Sequence, residues 1–256
     1  MSSTDAAPPP AVDGAGHYGV LALRGRDAGA FLQGQLTRDV PALGDAELGL
    51  CAILTPQGRV VAAPWLARAV DGYDLLVPAA LVAPLKERLQ RFVLRAKVTL
   101  APGPAAPLVA RLAATLGVAA EAPAAHYALA LIRAGVPEVG LAASEAWIPQ
   151  MLNLDLLGAI GFQKGCYTGQ EIVARTQHLG RIKRRLFRFA LAAGAPPAAL
   201  AALLADGAKV GEVVLAAPTG AGAECLAVLN LDARERALAL ADGRGCRPLP
   251  LPYAVP

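Results

Sequence analysis

The chain of 256 residues is long enough to bury a substantial hydrophobic core in one or two domains. Its hydrophobic content is 55%, yet no uninterrupted apolar run reaches the roughly eighteen residues that a membrane-spanning helix needs. The four cysteines include no C-x-x-C pair, which argues against a zinc site and a self-contained iron–sulfur cluster. Since no basic segment precedes an apolar core near the start, we expect a cytoplasmic protein that does not enter membranes.

Residues 1–16 include three consecutive prolines and predict a disordered tail. The next segment, residues 17–100, mixes strand patterns, turn residues and helical spacing, which predicts an α+β lobe. Asp27 is placed to cap one helix and Pro78 to begin another, while Asp71 and Gly72 mark a hairpin. The predicted strands are residues 18–23, 50–54, 59–70, 73–77 and 98–100.

Residues 101–183 form a less regular region. Proline and alanine predict a linker at residues 101–107, followed by an apolar helix at about residues 108–116. We predict a strand at residues 127–132 and a helix at residues 149–157.

The remaining segment, residues 184–256, changes to short strands separated by turns, which predicts a small antiparallel β-barrel domain. Its alanine-rich residues 198–204 favour a helix. The predicted strands are residues 184–191, 210–215, 225–231 and 237–241.

The most distinctive segment is the octet Lys-Gly-Cys-Tyr-Thr-Gly-Gln-Glu at residues 164–171. Thr168 and Glu171 have the spacing of a capping box, which would begin a helix just after Cys166. The helix dipole and the nearby Lys164 would both favour a thiolate at Cys166. The alternative is a structural loop with a buried, apolar cysteine.

The octet and several other segments together resemble the YgfZ family, folate-binding proteins related to the T-protein, which is the aminomethyltransferase of the glycine cleavage system. The resemblance covers roughly residues 18–256 and is weakest between residues 101 and 125. The segments that resemble the family besides the octet are residues 31–37 (Phe-Leu-Gln-Gly-Gln-Leu-Thr), 57–59, 94–98, 148–155, 172–176 and 180–185.

This resemblance implies a T-protein-like (GcvT-like) α+β fold, in which mixed sheet and helix lobes surround a central channel that holds tetrahydrofolate. One supersecondary unit of the second lobe is missing here, which implies a thinner or open channel wall. Tyr18 and Tyr127 match aromatic positions that lie against the folate in the family, although packing in the core is the alternative. Tyr167 and Gln170 are the other candidates for contact with the cofactor.

Within the octet, the resemblance implies that Cys166 is the chemical centre, as a thiolate, a sulfur acceptor or a single ligand of an iron–sulfur cluster shared with a partner. Lys164 and Glu171 are the other catalytic candidates. Helix capping is the alternative for Glu171, and a solvated charge is the alternative for Lys164. No metal site is predicted for the chain alone.

Three functions are compatible with the sequence. The resemblance favours a folate-dependent accessory factor, rather than a true enzyme, that supports iron–sulfur cluster assembly or repair and hence the radical enzymes that modify tRNA. The second is an aminomethyltransferase-like one-carbon transferase, which needs a carboxylate facing the folate nitrogen. The third is an RNA-binding protein that uses a basic strand, for which a solvated strand face is the alternative. The basic residues of that strand are Arg181, Lys183, Arg184, Arg185 and Arg188.

Overall fold

An antiparallel five-stranded sheet forms the first lobe of the computed structural model, which describes residues 14–256. The strand order is β2-β5-β6-β1-β7, and two further strands, β3 and β4, form a separate two-stranded sheet. The strands are β1 (Tyr18–Arg24), β2 (Gly49–Leu50), β3 (Ile53–Leu54), β4 (Val60–Ala62), β5 (Trp65–Ala69), β6 (Gly72–Pro78) and β7 (Thr99–Gly103).

Two predicted strands of this lobe are each divided. Residues 50–54 contribute to both β2 and β3, and residues 59–70 separate into β4 and β5 on either side of Pro64. Proline has no amide hydrogen for a sheet ladder, which explains the second break. The hairpin predicted at Asp71 and Gly72 is confirmed, because Gly72 pairs with Ala69.

Three helices belong to this part of the chain: α1 (Gly14–His17), α2 (Ala28–Gln33) and α3 (Val82–Val93). The predicted tail lies outside the described residues up to residue 13, whereas residues 14–16 are part of α1. Asp27 precedes α2, but its carboxylate accepts from the backbone amide of Lys97 instead of capping the helix.

The middle region is helical where a strand and a linker were predicted. Residues 127–132 lie within α5 (Ala124–Ala134), so the predicted strand is wrong. Alanine favours a helix, and Gly135 ends it in the left-handed conformation with φ of 70°. The predicted linker is also wrong, because β7 extends to Gly103 and α4 (Ala106–Leu116) begins three residues later.

The predicted helix at residues 149–157 is only a short 3₁₀ turn, Pro149–Leu152. It stops at Asn153, which adopts a left-handed conformation with φ of 57°. Asparagine tolerates that conformation better than most residues because its short side chain bonds locally. A further helix, α6 (Gln170–His178), follows the octet.

A closed six-stranded antiparallel barrel completes the chain and confirms the predicted C-terminal architecture. The helix predicted at residues 198–204 is wrong, because the barrel includes residues 202–205 as a strand whose alternate side chains are buried. Tertiary pairing outweighs alanine's helix propensity there. The strands are β8 (Arg184–Leu191), β9 (Ala202–Ala205), β10 (Ala208–Thr219), β11 (Gly222–Asn230), β12 (Leu238–Leu240) and β13 (Gly245–Leu249).

The barrel wall belongs to two hydrophobic clusters. Phe189 and Cys225 point into the barrel, whereas Leu186 and Leu226 point outward and pack in a cluster with Leu131 of α5 and Trp147. Strand alternation therefore joins the barrel to the middle region. No helix in residues 14–256 is long and apolar enough to cross a membrane.

Candidate functional site

Three segments that are far apart in the chain meet around the octet. They are residues 31–37, residues 55–59 and residues 164–171, and we call their meeting point the octet junction. Residues 31–37, residues 164–171 and, within the second segment, residues 57–59 were singled out in the sequence. The contacts of the three segments place Cys166 in a loop between the first lobe and α6.

Lys164 makes the strongest connection in the octet junction. Its Nζ atom donates to the backbone carbonyl oxygens of Gln33 at 2.8 Å, Leu36 at 2.6 Å and Arg38 at 2.8 Å. Since an ammonium group has three donors, all of them are used. Gln33 is the last residue of α2, where unpaired carbonyls and the helix dipole favour a cation.

The surroundings of Lys164 are largely closed to solvent. The residue is 9% exposed, and its Nζ lies 5.1 Å from the ring centroid of Tyr167. Burial lowers the pKa of Lys164 to about 8, although the nearby Asp39 opposes this shift. Lys164 is therefore neither the solvated charge nor a free donor beside Cys166.

Backbone contacts continue the connection on both sides of Lys164. The Gly161 amide donates to the Thr37 carbonyl at 2.8 Å, and the Thr168 amide donates to the Gly34 carbonyl at 3.2 Å. The Thr37 hydroxyl donates to the Ala159 carbonyl and accepts from the Ala52 amide. These bonds fix both ends of the loop that carries Cys166.

A close backbone approach explains two glycines of the octet junction. A side-chain carbon at Gly169 would lie 2.6 Å from the Thr55 carbonyl oxygen, and the residue has φ of 82°. Gly58 has φ of 71° and would bring such a carbon within 2.8 Å of Ile172. Glycine is required at both positions, because the backbone there has positive φ and a side chain would collide with its neighbours.

The predicted capping box of Thr168 and Glu171 is wrong. Helix α6 begins at Gln170 with Gly169 as its N-cap, and no side chain caps it. Instead, the Gln170 side-chain oxygen accepts from the Tyr167 amide at 3.2 Å. Glu171 is an exposed acidic residue in the first turn of α6, where its carboxylate interacts favourably with the helix dipole.

Cys166 is exposed, which removes the alternative of a buried structural cysteine. The other three cysteines, Cys51, Cys225 and Cys246, are buried. Burial raises the pKa of Cys51 and of Cys225 to about 12, so both remain thiols. Among the four cysteines, Cys166 alone is exposed to solvent.

Exposed apolar side chains flank the Cys166 loop. Phe162 is 39% exposed and Leu179 is 86% exposed. The ring of Phe162 meets that of His178 edge-on at 6.4 Å, which brings the chain before the octet against the end of α6. Exposed apolar side chains thus lie on both sides of the octet in the chain.

Tyr18 and Tyr127 lie together, but in a different buried cluster from Tyr167. They are 3% and 0% exposed, and their rings meet edge-on at 5.7 Å. The Tyr127 hydroxyl donates to the Ala120 carbonyl at 2.9 Å, whereas the Tyr18 hydroxyl has no hydrogen-bond partner among residues 14–256. Burial, followed by the charge of the nearby Glu138, raises the pKa of Tyr18.

Tetrahydrofolate would need an open cavity bordered by the residues predicted to bind it. Five cavities are described in residues 14–256, and none is lined by Tyr18, Tyr127, Tyr167 or Gln170. Contact between these four side chains and folate therefore stays a prediction. No group of three metal-ligating side chains occurs among the described residues.

A buried ion pair connects residues 148–155 to the barrel, and the sequence did not predict it. Arg185 and Asp155 form two hydrogen bonds of 2.6 and 2.9 Å, and Arg185 also donates to the Gln150 carbonyl. The Asn153 amide group donates to the Leu186 carbonyl at 2.9 Å. Polar residues at 150, 153 and 155 within an apolar stretch were the available signal.

The basic strand predicted as an RNA surface is divided between buried and exposed residues. Arg185 pairs with Asp155, and Arg188 pairs with Glu224 at 2.7 Å. Arg181, Lys183 and Arg184 are exposed. Three of the five basic residues therefore remain available to a polyanion.

Comparison with known proteins agrees with the resemblance seen in the sequence. A tRNA-modifying protein YgfZ from Edwardsiella ictaluri is 28% identical over 219 residues, 64% of this chain and 66% of the relative. The YgfZ from Yersinia pseudotuberculosis is 28% identical over 71% of each chain, and that from Colwellia psychrerythraea is 29% identical over 66% of this chain and 68% of its own. The matches thus span about two thirds of the relatives' length. No protein-family model matches the chain.

The fold resembles that of a solved aminomethyltransferase. The crystal structure of glycine cleavage system aminomethyltransferase T from Bartonella henselae superposes with a TM-score of 0.68. It covers 93% of this chain and 83% of its own, at 14% sequence identity. The predicted GcvT-like fold class is confirmed, and so is the recognition of YgfZ proteins as homologues.

Proposed function

We propose that this homologue of the YgfZ proteins is an accessory factor for tRNA modification that presents Cys166 to a client protein. The observation that carries the proposal is the octet junction, which fixes the Cys166 loop while leaving Cys166 exposed. The names of the curated relatives supply the process, tRNA modification. The proposed location is the cytoplasm.

The proposed clients are iron–sulfur proteins, above all the radical enzymes that modify tRNA. Cys166 would act as a nucleophile, a sulfur acceptor or one ligand to a cluster that the client also binds. Phe162 and Leu179 supply apolar surface for the client beside the loop. Lys164 acts as a positioning residue, because its donors are directed to the first lobe.

Glu171 and Gln170 have different parts in this proposal. Glu171 is exposed, so its carboxylate can accept hydrogen bonds from donor groups of the client. Gln170 shapes the loop by accepting the Tyr167 amide. An accessory role does not require either residue to take part in catalytic turnover.

Tetrahydrofolate is the proposed cofactor, and the support for it is the likeness to an aminomethyltransferase fold. Since the four predicted contact residues line none of the described cavities, no step is assigned to the folate. Calorimetric titration with tetrahydrofolate tests this part separately, and absence of binding heat would remove the cofactor while leaving the Cys166 proposal intact.

The test of the Cys166 proposal is complementation in a bacterial strain that lacks its own YgfZ. Modified tRNA nucleosides that need an iron–sulfur radical enzyme would be quantified by mass spectrometry. Wild-type protein and Cys225→Ala are expected to restore them, whereas Cys166→Ala is expected to fail at equal protein level. Full restoration by Cys166→Ala would remove the thiol from the mechanism.

A one-carbon transferase is the second candidate, favoured by the same fold likeness. It predicts methylene transfer from an aminomethyl donor to tetrahydrofolate. Folate binding without any transfer would reject it.

A further inference from the structure

The outer face of the barrel has a row of three residues on adjacent strands. Ala190 of β8 pairs with Glu224 of β11 on one side and with Arg247 of β13 on the other. Partners in antiparallel register share one face of the sheet, so all three side chains point outward. Neighbouring strands are about 5 Å apart, which places the backbones of Glu224 and Arg247 roughly 10 Å apart across a small alanine.

Glu224 holds two arginines at one side of this row. Its Oε2 atom accepts from Arg188 Nη2 at 2.7 Å, and its Oε1 atom accepts from Arg133 of α5 at 3.1 Å. Burial raises the pKa of Glu224, but hydrogen bonds from the two arginines outweigh that effect and keep the pKa below its usual range. Glu224 is therefore charged, and it orients both guanidinium groups.

Arg247 differs from these residues in having no charged neighbour to neutralise it. It is exposed, and its side chain makes no hydrogen bond or ion pair with any residue in the described part of the chain. Three arginines and one glutamate leave two positive charges in excess around Ala190. Guanidinium groups bind phosphate and carboxylate in a two-point geometry, so this excess is suited to an anion.

A depression of about 730 Å³ lies over the row. Arg188, Ala190, Glu224 and Arg247 line it, together with Cys246 and Leu249 at its apolar side. Cavities of roughly 300–1,000 Å³ are typical of small-molecule sites. The depression is thus larger than a single inorganic ion requires.

We propose that this depression, which we call the arginine cleft, binds a small organic anion that carries two or more phosphate or carboxylate groups. Arg247 would contact the anion directly, and Arg188, two residues before Ala190 on β8 and held by Glu224, would supply the second guanidinium group. Glu224 would act as a positioning residue, because it holds Arg188 and Arg133 in place. The arginine cleft is separate from the octet junction and does not depend on the role of Cys166.

The test is calorimetric titration of the full chain with two probes, ADP for phosphate and citrate for carboxylate. Arg247→Gln is expected to weaken binding about tenfold or more, since it removes a charge-assisted contact. Arg95→Gln is the matched control, because Arg95 is also exposed and without a partner among the described residues, and it removes the same charge. Ala190→Leu fills the floor without changing charge and is expected to abolish binding.

Binding of ADP alone would assign a phosphate ligand, and binding of citrate alone a carboxylate ligand. An equal loss in Arg247→Gln and Arg95→Gln would overturn the proposal, because it would reflect general charge attraction. The proposal would also be overturned if neither ADP nor citrate binds. This conclusion would hold even if an RNA oligonucleotide bound through Arg247.

Discussion

The Nζ atom of Lys164 lies 2.6 Å from the carbonyl oxygen of Leu36, a residue 128 positions earlier in the chain. This bond joins the octet to the segment that follows α2. The sequence predicts that Lys164 is a charge beside a reactive thiol. In the structure, Lys164 instead connects two parts of the protein. The exposed Cys166 loop depends on that connection for its position.

Replacing Lys164 with Met is expected to destabilise the protein by about 2–4 kcal/mol, because one buried and two partly buried carbonyl groups lose their donor. Urea unfolding would measure the change. Lys86→Met is the matched control, since Lys86 is exposed and makes no ion pair within residues 14–256, and it should alter stability by less than about 0.5 kcal/mol. Equal stability of the two variants would show that the carbonyl contacts contribute nothing.

Native protein is expected to react with a maleimide at one cysteine. Cys166 is exposed, whereas burial protects the other three thiols and keeps two of them protonated. Intact-mass measurement should show one adduct at early times, and Cys166→Ala should show none. Rapid labelling of that variant would mean that a buried thiol becomes accessible in solution.

Tyr18→Phe and Tyr127→Phe form a matched pair. Tyr127→Phe removes the hydrogen bond of the Tyr127 hydroxyl, so it should lower the free energy of unfolding by about 1 kcal/mol. The Tyr18 hydroxyl is buried without a partner among the described residues, so its removal should be neutral or slightly stabilising. Thermal unfolding would compare them. If tetrahydrofolate binds and Tyr18→Phe lowers its affinity, the hydroxyl serves the ligand rather than the fold.

His17 should make stability depend on pH. Its Nε2 lies 2.9 Å from Glu138 Oε1, and this hydrogen bond raises the pKa of His17 above 6.5 despite partial burial. Because the folded protein binds the proton more tightly, the stabilisation is complete below pH 6.5 and is lost as the pH rises through the raised pKa. Tyr18 packs against His17 but stays neutral throughout this range because its own pKa is raised.

Urea unfolding at a series of pH values would test this dependence. The advantage of wild type over His17→Gln should shrink as the pH rises above 6.5. The exposed His126, which has no ion pair in residues 14–256, provides the control His126→Gln. A constant difference between wild type and His17→Gln would contradict the assignment.

Substitution of two adjacent arginines of β8 should destabilise the protein to very different degrees. Arg185→Met leaves the buried Asp155 without its partner and should destabilise the protein by about 3–5 kcal/mol. Arg184→Met removes an exposed side chain that bonds only Asn230 and should cost less than about 1 kcal/mol. Chemical denaturation would measure both. If RNA binds to this strand, Arg184→Met should weaken it and reduce its dependence on salt.

Much of the architecture could be predicted from local patterns. Alternation and turn residues identified β1, β8 and the hairpin at Gly72, and the octet identified the loop that carries Cys166. Two of the errors fall in alanine-rich segments that lack a strong period. Residues 127–132 are a helix and residues 202–205 a strand, and similar composition gives opposite structures because their tertiary neighbours differ.

The candidate site was predictable in its residue types but not in their partners. Hydrogen bonds between segments more than 120 residues apart leave no local pattern, so the sequence did not reveal the bonds of Lys164 to residues 33–38. The arginine cleft arises in the same way. Its row of Glu224, Ala190 and Arg247 exists only once three strands pair in register.

By itself, then, the sequence determined the GcvT-like fold class, the relationship to YgfZ proteins and the presence of one distinctive cysteine loop. Only the tertiary structure decided that Cys166 is exposed and that Lys164 and Arg185 are each buried with partners of their own. It also decided that Tyr18 and Tyr127 pack together away from the octet. The physical reason is that burial and pairing depend on distant chain segments, whereas turns and strand alternation depend on neighbouring residues.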